Sequence, residues 1–73
     1  MMENPLKKKR KALGISKEEM SKRLSTTIYN ITEWELSRRI PKSHMLIDIS
    51  EAYNLSNEEL IEYLKYLNEI RKE

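Results

Sequence analysis

The 73-residue chain has no cysteine, no valine and no phenylalanine, and only one glycine and two prolines. Without cysteine, neither a disulfide nor a thiolate metal site supports the fold, and nothing points to an oxidising compartment. One glycine and no valine or phenylalanine leave little material for strands or hairpin turns. The longest apolar run is Met45-Leu46-Ile47, far below the roughly 18 residues of a membrane span. No apolar segment follows the basic N-terminus as a signal peptide would require. His44 and Asp48 are the only residues of their kinds. They supply no metal cluster, no nucleophile–base pair accompanies them, and no glycine-rich phosphate loop is present. The sequence therefore reads as non-enzymatic, with no cofactor, metal or small-molecule substrate. It is expected to be soluble and cytosolic, without a membrane partner.

What is present is helical material: nine leucines, eight isoleucines and 36% charged residues. A chain this short buries only about 60% of its unfolded surface, so it forms one domain over residues 1–73 whose stability comes from packing and oligomerisation. The net charge of +2 conceals a division. Residues 1–44 carry 11 Lys or Arg against 5 Glu, whereas residues 45–73 carry 3 against 7 acids. A basic half of this kind is the electrostatic footprint of a polyanion partner, although a solvated basic helix face has the same composition.

Capping signals divide the chain into five helices. Asn4-Pro5 opens the first, over about 5–13, and Gly14 stops it. Ser16-Lys17-Glu18-Glu19 reads as a capping box for a second helix over about 17–24. Ser25-Thr26-Thr27 is a turn and N-cap, after which Ile31, Trp34 and Glu35 share one face of a third helix over about 28–36. Beyond Pro41, Ser43 can cap a fourth helix over about 44–53, with Leu46, Ile49, Ala52 and Tyr53 as its apolar stripe. Ser56-Asn57-Glu58-Glu59 is a second capping box, opening a long C-terminal helix over about 57–72.

Two short helices joined by a three-residue turn in basic surroundings describe a helix-turn-helix, here over about 17–36. The residues Leu13-Gly14-Ile15-Ser16-Lys17-Glu18-Glu19-Met20, Leu24, Ile31, Trp34-Glu35, Arg38 and Pro41 carry a closer likeness. With Arg10 and the closing Leu55-Ser56-Asn57-Glu58-Glu59-Leu60, they resemble the phage-repressor and Cro-type family of helix-turn-helix proteins, also called XRE-like. The likeness runs without a gap from about Leu6 to Leu60. It implies a five-helix, lambda-repressor-like all-α domain, here with an extended C-terminal helix. Its third helix would enter the DNA major groove, usually in a homodimer acting on transcription.

The resemblance places an internal ion pair at Arg10 and Glu35, and base contacts at Ile28, Tyr29 and Glu33, with Thr32 on the same face. This sequence departs from the longer polar side chains usual there. Ile28 suits a thymine methyl, Tyr29 a phosphate or base, and Glu33 the amino group of cytosine. Trp34 belongs to the inward face with Ile31. Ser16 and Lys17 stand at a helix N-terminus where unpaired amides favour a phosphate. Thr27, Arg38, Arg39 and Lys42 are further expected phosphate contacts, and so are Lys7 and Lys11, which share a face of the first helix, whereas Lys8 and Lys9 are expected to be solvated. Ser25 and Ser37 replace glycines common in the family, at turn positions where a left-handed backbone costs about 1 kcal/mol.

The apolar surface of the C-terminal helix looks too wide for one core. Leu60 and Leu64 are expected to pack inward, and Tyr63, Tyr66, Leu67 and Ile70 to form a dimer seam. Two-fold pairing would set the recognition helices about 34 Å apart on a palindromic site. The expected function is a sequence-specific double-stranded DNA-binding regulator, a repressor acting in a bacterial or phage-type cytosol in association with the nucleoid. The rival is a protein-interaction module on the same fold, such as an antitoxin or anti-repressor, contacting its partner through Ile28, Tyr29 and Leu36.

Overall fold

The structure is a computed structural model that describes residues 4–71. Every α-helix but the fourth begins where a polar side chain satisfies free backbone donors. Asn4 Oδ1 accepts from the Leu6 N–H at 2.9 Å, and Pro5 starts α1 (Pro5–Leu13). Ser16 Oγ accepts from the Glu19 N–H at 3.0 Å to open α2 (Lys17–Leu24). Thr27 Oγ1 accepts from the Asn30 N–H at 3.1 Å to open α3 (Ile28–Glu35). α4 (Leu46–Ala52) follows a 3₁₀ turn, and α5 (Asn57–Arg71) completes the domain. Among the described residues there is no strand, and the fold is all-α. Lys72, the expected end of α5, lies outside the described residues.

Two capping expectations are corrected. At Ser56 the box is complete, since the Glu59 N–H donates to Ser56 Oγ at 3.1 Å and the Ser56 N–H to Glu59 Oε1 at 2.9 Å. At Ser16 only the first half forms: the Glu19 carboxylate lies 3.7 Å from Arg23, one turn further on, where it finds a cation. Ser43 does not cap the fourth helix. It starts the 3₁₀ turn Ser43–Met45, closed by the Met45 N–H on Lys42 O at 2.8 Å, a common entry into an α-helix after an extended segment.

The first four helices stop in one way. Gly14, Ser25, Ser37 and Asn54 all have positive φ, between 51° and 70°. At each, the left-handed residue's N–H bonds back three residues and the next N–H five. Gly14 and Ile15 donate to Lys11 and Arg10, Ser25 and Thr26 to Lys22 and Ser21, Ser37 and Arg38 to Trp34 and Glu33, and Asn54 and Leu55 to Glu51 and Ser50. This is the Schellman closure, which satisfies carbonyls the helix end leaves free. Only Gly14 adopts the conformation without steric cost.

The core gathers residues from every helix: Leu6, Met20, Leu24, Ile31, Trp34, Ile49, Tyr53, Tyr63, Tyr66 and Leu67. α1 packs on α3 and α5, and α2 on α3 and α4. The last three core residues correct the expected dimer seam. Tyr63 is 0% exposed and Tyr66 and Leu67 are buried, while Ile70 packs against the same cluster. The loop after α3 adds a polar anchor there: Ser37 Oγ bonds the Tyr66 hydroxyl and receives Asn4 Nδ2 at 3.1 Å. With α1 and this loop as cover, the inward row of α5 is satisfied within one chain. Leu64, expected inside, is exposed together with Ile61. Leu60 is half-buried.

Two stability measurements follow. Among the described residues Ser25 has no side-chain bond, so Ser25→Gly should relieve its left-handed backbone and stabilise by about 1 kcal/mol, raising Tm by about 4–8 °C for a domain of this size. Ser37→Gly should gain nothing net, because it removes the hydroxyl shared by Asn4 and Tyr66. The Tyr63 hydroxyl is buried without a hydrogen-bond partner among the described residues, and burial raises its pKa above the ordinary tyrosine value. Tyr63→Phe should therefore be neutral or stabilising by about 1 kcal/mol in thermal unfolding. A loss above about 2 kcal/mol would show that the hydroxyl has a partner.

Candidate nucleic-acid interface

The orientation of α3 is set by a buried ion pair. Arg10 of α1 meets Glu35 of α3 as a fork, Nε to Oε2 at 2.8 Å and Nη2 to Oε1 at 3.0 Å. The remaining guanidinium nitrogen donates to Ile15 O at 2.9 Å, and the Tyr53 hydroxyl donates to Glu35 Oε2 at 2.8 Å. The hydrogen bond to Glu35 raises the Arg10 pKa above its ordinary value, outweighing its burial. Burial and then the Glu35 carboxylate raise the Tyr53 phenol, so it remains a protonated donor. At the other end of the α1–α3 contact, Asn4 Nδ2 donates to Trp34 O at 2.9 Å. Trp34 lies in the core.

With Ile31, Trp34 and Glu35 turned inward, helical periodicity turns Tyr29, Thr32 and Leu36 away from them, and Ile28 borders this face as the first residue of the helix, where no preceding turn covers it. Ile28 is 45% and Tyr29 62% exposed. Thr32 is half-buried and receives Lys17 Nζ at 3.4 Å, which lays the Lys17 chain across from α2 to α3. Glu33 is corrected from an open acceptor to a covered one. Its side chain is 12% exposed, with the Tyr29 hydroxyl and Arg38 Nη1 each 3.5 Å from its oxygens. The Schellman closure explains this, since Arg38 and Arg39 both bond to Glu33 O and return Arg38 over the carboxylate it follows by five residues.

The cations expected at phosphates fall into three groups. Lys17 and Arg38 flank the outward face of α3 on its Thr32 and Glu33 sides. Arg39 and Lys42 are exposed, make no side-chain bond among the described residues, and line a cleft of about 540 Å³ with Leu24, Thr26, Asn30 and Trp34. Thr26 and Asn30 were not singled out from the sequence. Asn30 Nδ2 donates to Thr26 Oγ1 at 2.8 Å and locks the turn between α2 and α3, a contact signalled only by their four-residue spacing. Ser16 and Thr27 use their oxygens as acceptors for caps, which leaves each hydroxyl proton able to donate outward. On α1, Lys7 is half-buried and Lys11 exposed, neither with a side-chain bond among the described residues. Lys9 is not simply solvated as expected. Its Nζ meets both oxygens of Glu59 at 2.9 Å, tying α1 to α5, and the Glu59 pKa is lowered by the Ser56 backbone bond and by Lys9.

The described residues hold no group of three His, Cys, Asp or Glu placed for a metal ion, and no helix long and apolar enough to cross a membrane. What they hold is two helices at a locked turn, the second with an open face. That is the architecture of a helix-turn-helix protein. The sequence model of the family described as "Helix-turn-helix domain" matches residues 4–67, and the chain belongs to that family. Comparison with curated proteins and with solved structures found no match.

Because the fork positions α3, Glu35→Ala should destabilise by about 3–5 kcal/mol, leaving Arg10 and Tyr53 buried without their acceptor. Replacing both partners at once, as Arg10→Met with Glu35→Met, should recover much of that loss. Denaturant titration of the three proteins checks it. Equal destabilisation by the single and double changes would mean that the pair is not the source.

Proposed function

We propose that this protein is a regulator of transcription that binds double-stranded DNA, of the phage-repressor type, with α3 in the major groove. The observation that carries the proposal is the open face of α3 bordered by cations that no core pair consumes. An eight-residue helix is about 12 Å long, matching a groove about 12 Å wide. Ile28, Tyr29 and Thr32 stand at the base edges, with Glu33 holding Tyr29 and Arg38 in place. Lys7, Lys11, Ser16, Lys17, Thr27, Arg38, Arg39 and Lys42 meet phosphates, which fix register without selecting sequence.

Regulation is by occupancy: the bound domain represses by excluding other proteins from its site. A second copy is the expected partner, giving two-fold symmetry and a palindromic site. With Tyr63, Tyr66 and Leu67 inside the core, α5 contributes Ile61 and Leu64 to such pairing.

Selection of bound duplexes from a random library tests the reading, with enriched palindromes as the expected result. If about four of these six cations per protomer reach phosphate at once, log affinity should fall against log salt with a slope near −7 for a dimer, or about half that for a monomer. Arg39→Ala with Lys42→Ala should reduce the slope by about 2 per protomer. A flat salt titration overturns DNA binding.

A further inference from the structure

The outward face of α3 is poorly equipped to trade hydrogen bonds with base edges. Its arc holds an isoleucine, a tyrosine, a threonine and a leucine, and Ile28, Tyr29 and Leu36 are all exposed. The polar members are tied to neighbours within the domain, although the Thr32 hydroxyl keeps a proton to donate. Thr32 Oγ1 receives Lys17, and Glu33 lies beneath Tyr29 and Arg38. The tip of the face therefore offers methyl groups and an aromatic ring.

In the major groove only thymine presents an apolar group, its C5 methyl; the other groups there are donors and acceptors. Pressing an isoleucine against those strips water from them without returning a hydrogen bond, which is unfavourable. Against a thymine methyl the same contact is favourable, so the preference has a definite sign. Lys17 on one border of the face and Arg38 on the other complement two rows of phosphates, which an apolar protein groove would lack.

We infer that this face selects thymine, with Ile28 and Tyr29 each covering the C5 methyl of one of two neighbouring thymines. The inference rests on the duplex-binding reading and names the base that reading leaves open. It makes Glu33 a positioning residue rather than a reader of cytosine.

The test uses the full chain and the duplex enriched from a random library, compared with the same duplex in which single thymines are replaced by deoxyuridine, which lacks only the methyl. Loss of one buried methyl should weaken binding about three- to five-fold at two neighbouring positions in each half-site. Cytosine there should bind poorly, and 5-methylcytosine should bind better than cytosine. Ile28→Ala should bring the thymine-to-uracil affinity ratio close to one at one of the two positions. Its side chain is exposed, and circular dichroism verifies the fold of the variant. Equal affinity for thymine and uracil at every position overturns the inference. So does an enriched site with cytosine required where α3 lies. Binding of random duplex at low salt separates the two readings: if it persists without methyl dependence, only the thymine assignment fails. If no duplex binds and the exposed apolar face instead captures a protein partner, both fail.

Discussion

The Arg10–Glu35 fork joins α1, α3 and the end of α4 through one buried contact. One guanidinium on α1 reaches a carboxylate on α3 and the carbonyl of Ile15 in the first corner, and the carboxylate also receives Tyr53 at the end of α4. A buried pair of this kind adds little net stability, because both charges must leave water. Its value is directional. Guanidinium and carboxylate fit in one plane and at one register, whereas leucine and isoleucine would pack almost as well with α3 rotated. Were α3 to turn, Glu35 would lose its partner and Ile28 and Tyr29 would leave the outward face, so the charge pair and the binding surface are fixed together.

The corners show how a chain with one glycine makes tight helical turns. Three of the four left-handed residues carry a Cβ, yet each lets two free carbonyls accept hydrogen bonds. At Ser37 the side chain compensates by joining Asn4 to Tyr66, and the same turn places Arg38 over Glu33. A strained corner thus determines what α3 exposes. Ser25 has no comparable compensation and remains a local weakness.

Much of this was legible because caps and inward charges leave local signatures. Asn4-Pro5, Gly14, Ser16 and Ser56 marked helix ends within a residue, and Glu35 stood out as a charge on the face of Ile31 and Trp34, with Arg10 supplied as its partner by the family likeness. The misreadings depend on contacts from elsewhere in the chain. Glu33 looks open from its helical position, and only the path of the loop brings Arg38 across it. The apolar surface of α5 is broad enough to allow more than one inward row. Its orientation is decided by α1 and by the Ser37 hydroxyl, 29 residues before Tyr66. Lys9 appears one more solvated lysine until α5 folds back and Glu59 meets it.

The division of labour at the proposed interface follows from these constraints. A domain whose reading face is mostly apolar draws its affinity from phosphates, and that part is blind to sequence. Two thymine methyls at about four-fold each discriminate by about 16-fold per protomer, and two-fold repetition raises this to about 250-fold. Sequence-specific DNA-binding proteins typically reach 10³ or more over random DNA. The remaining selectivity has to come from the shape and deformability of the duplex, to which the flanking cations respond through the spacing of phosphates. In the proposed dimer, pairing would thus be more than a route to stability. With so few groups able to read bases, symmetry is what turns a weak preference into a usable one.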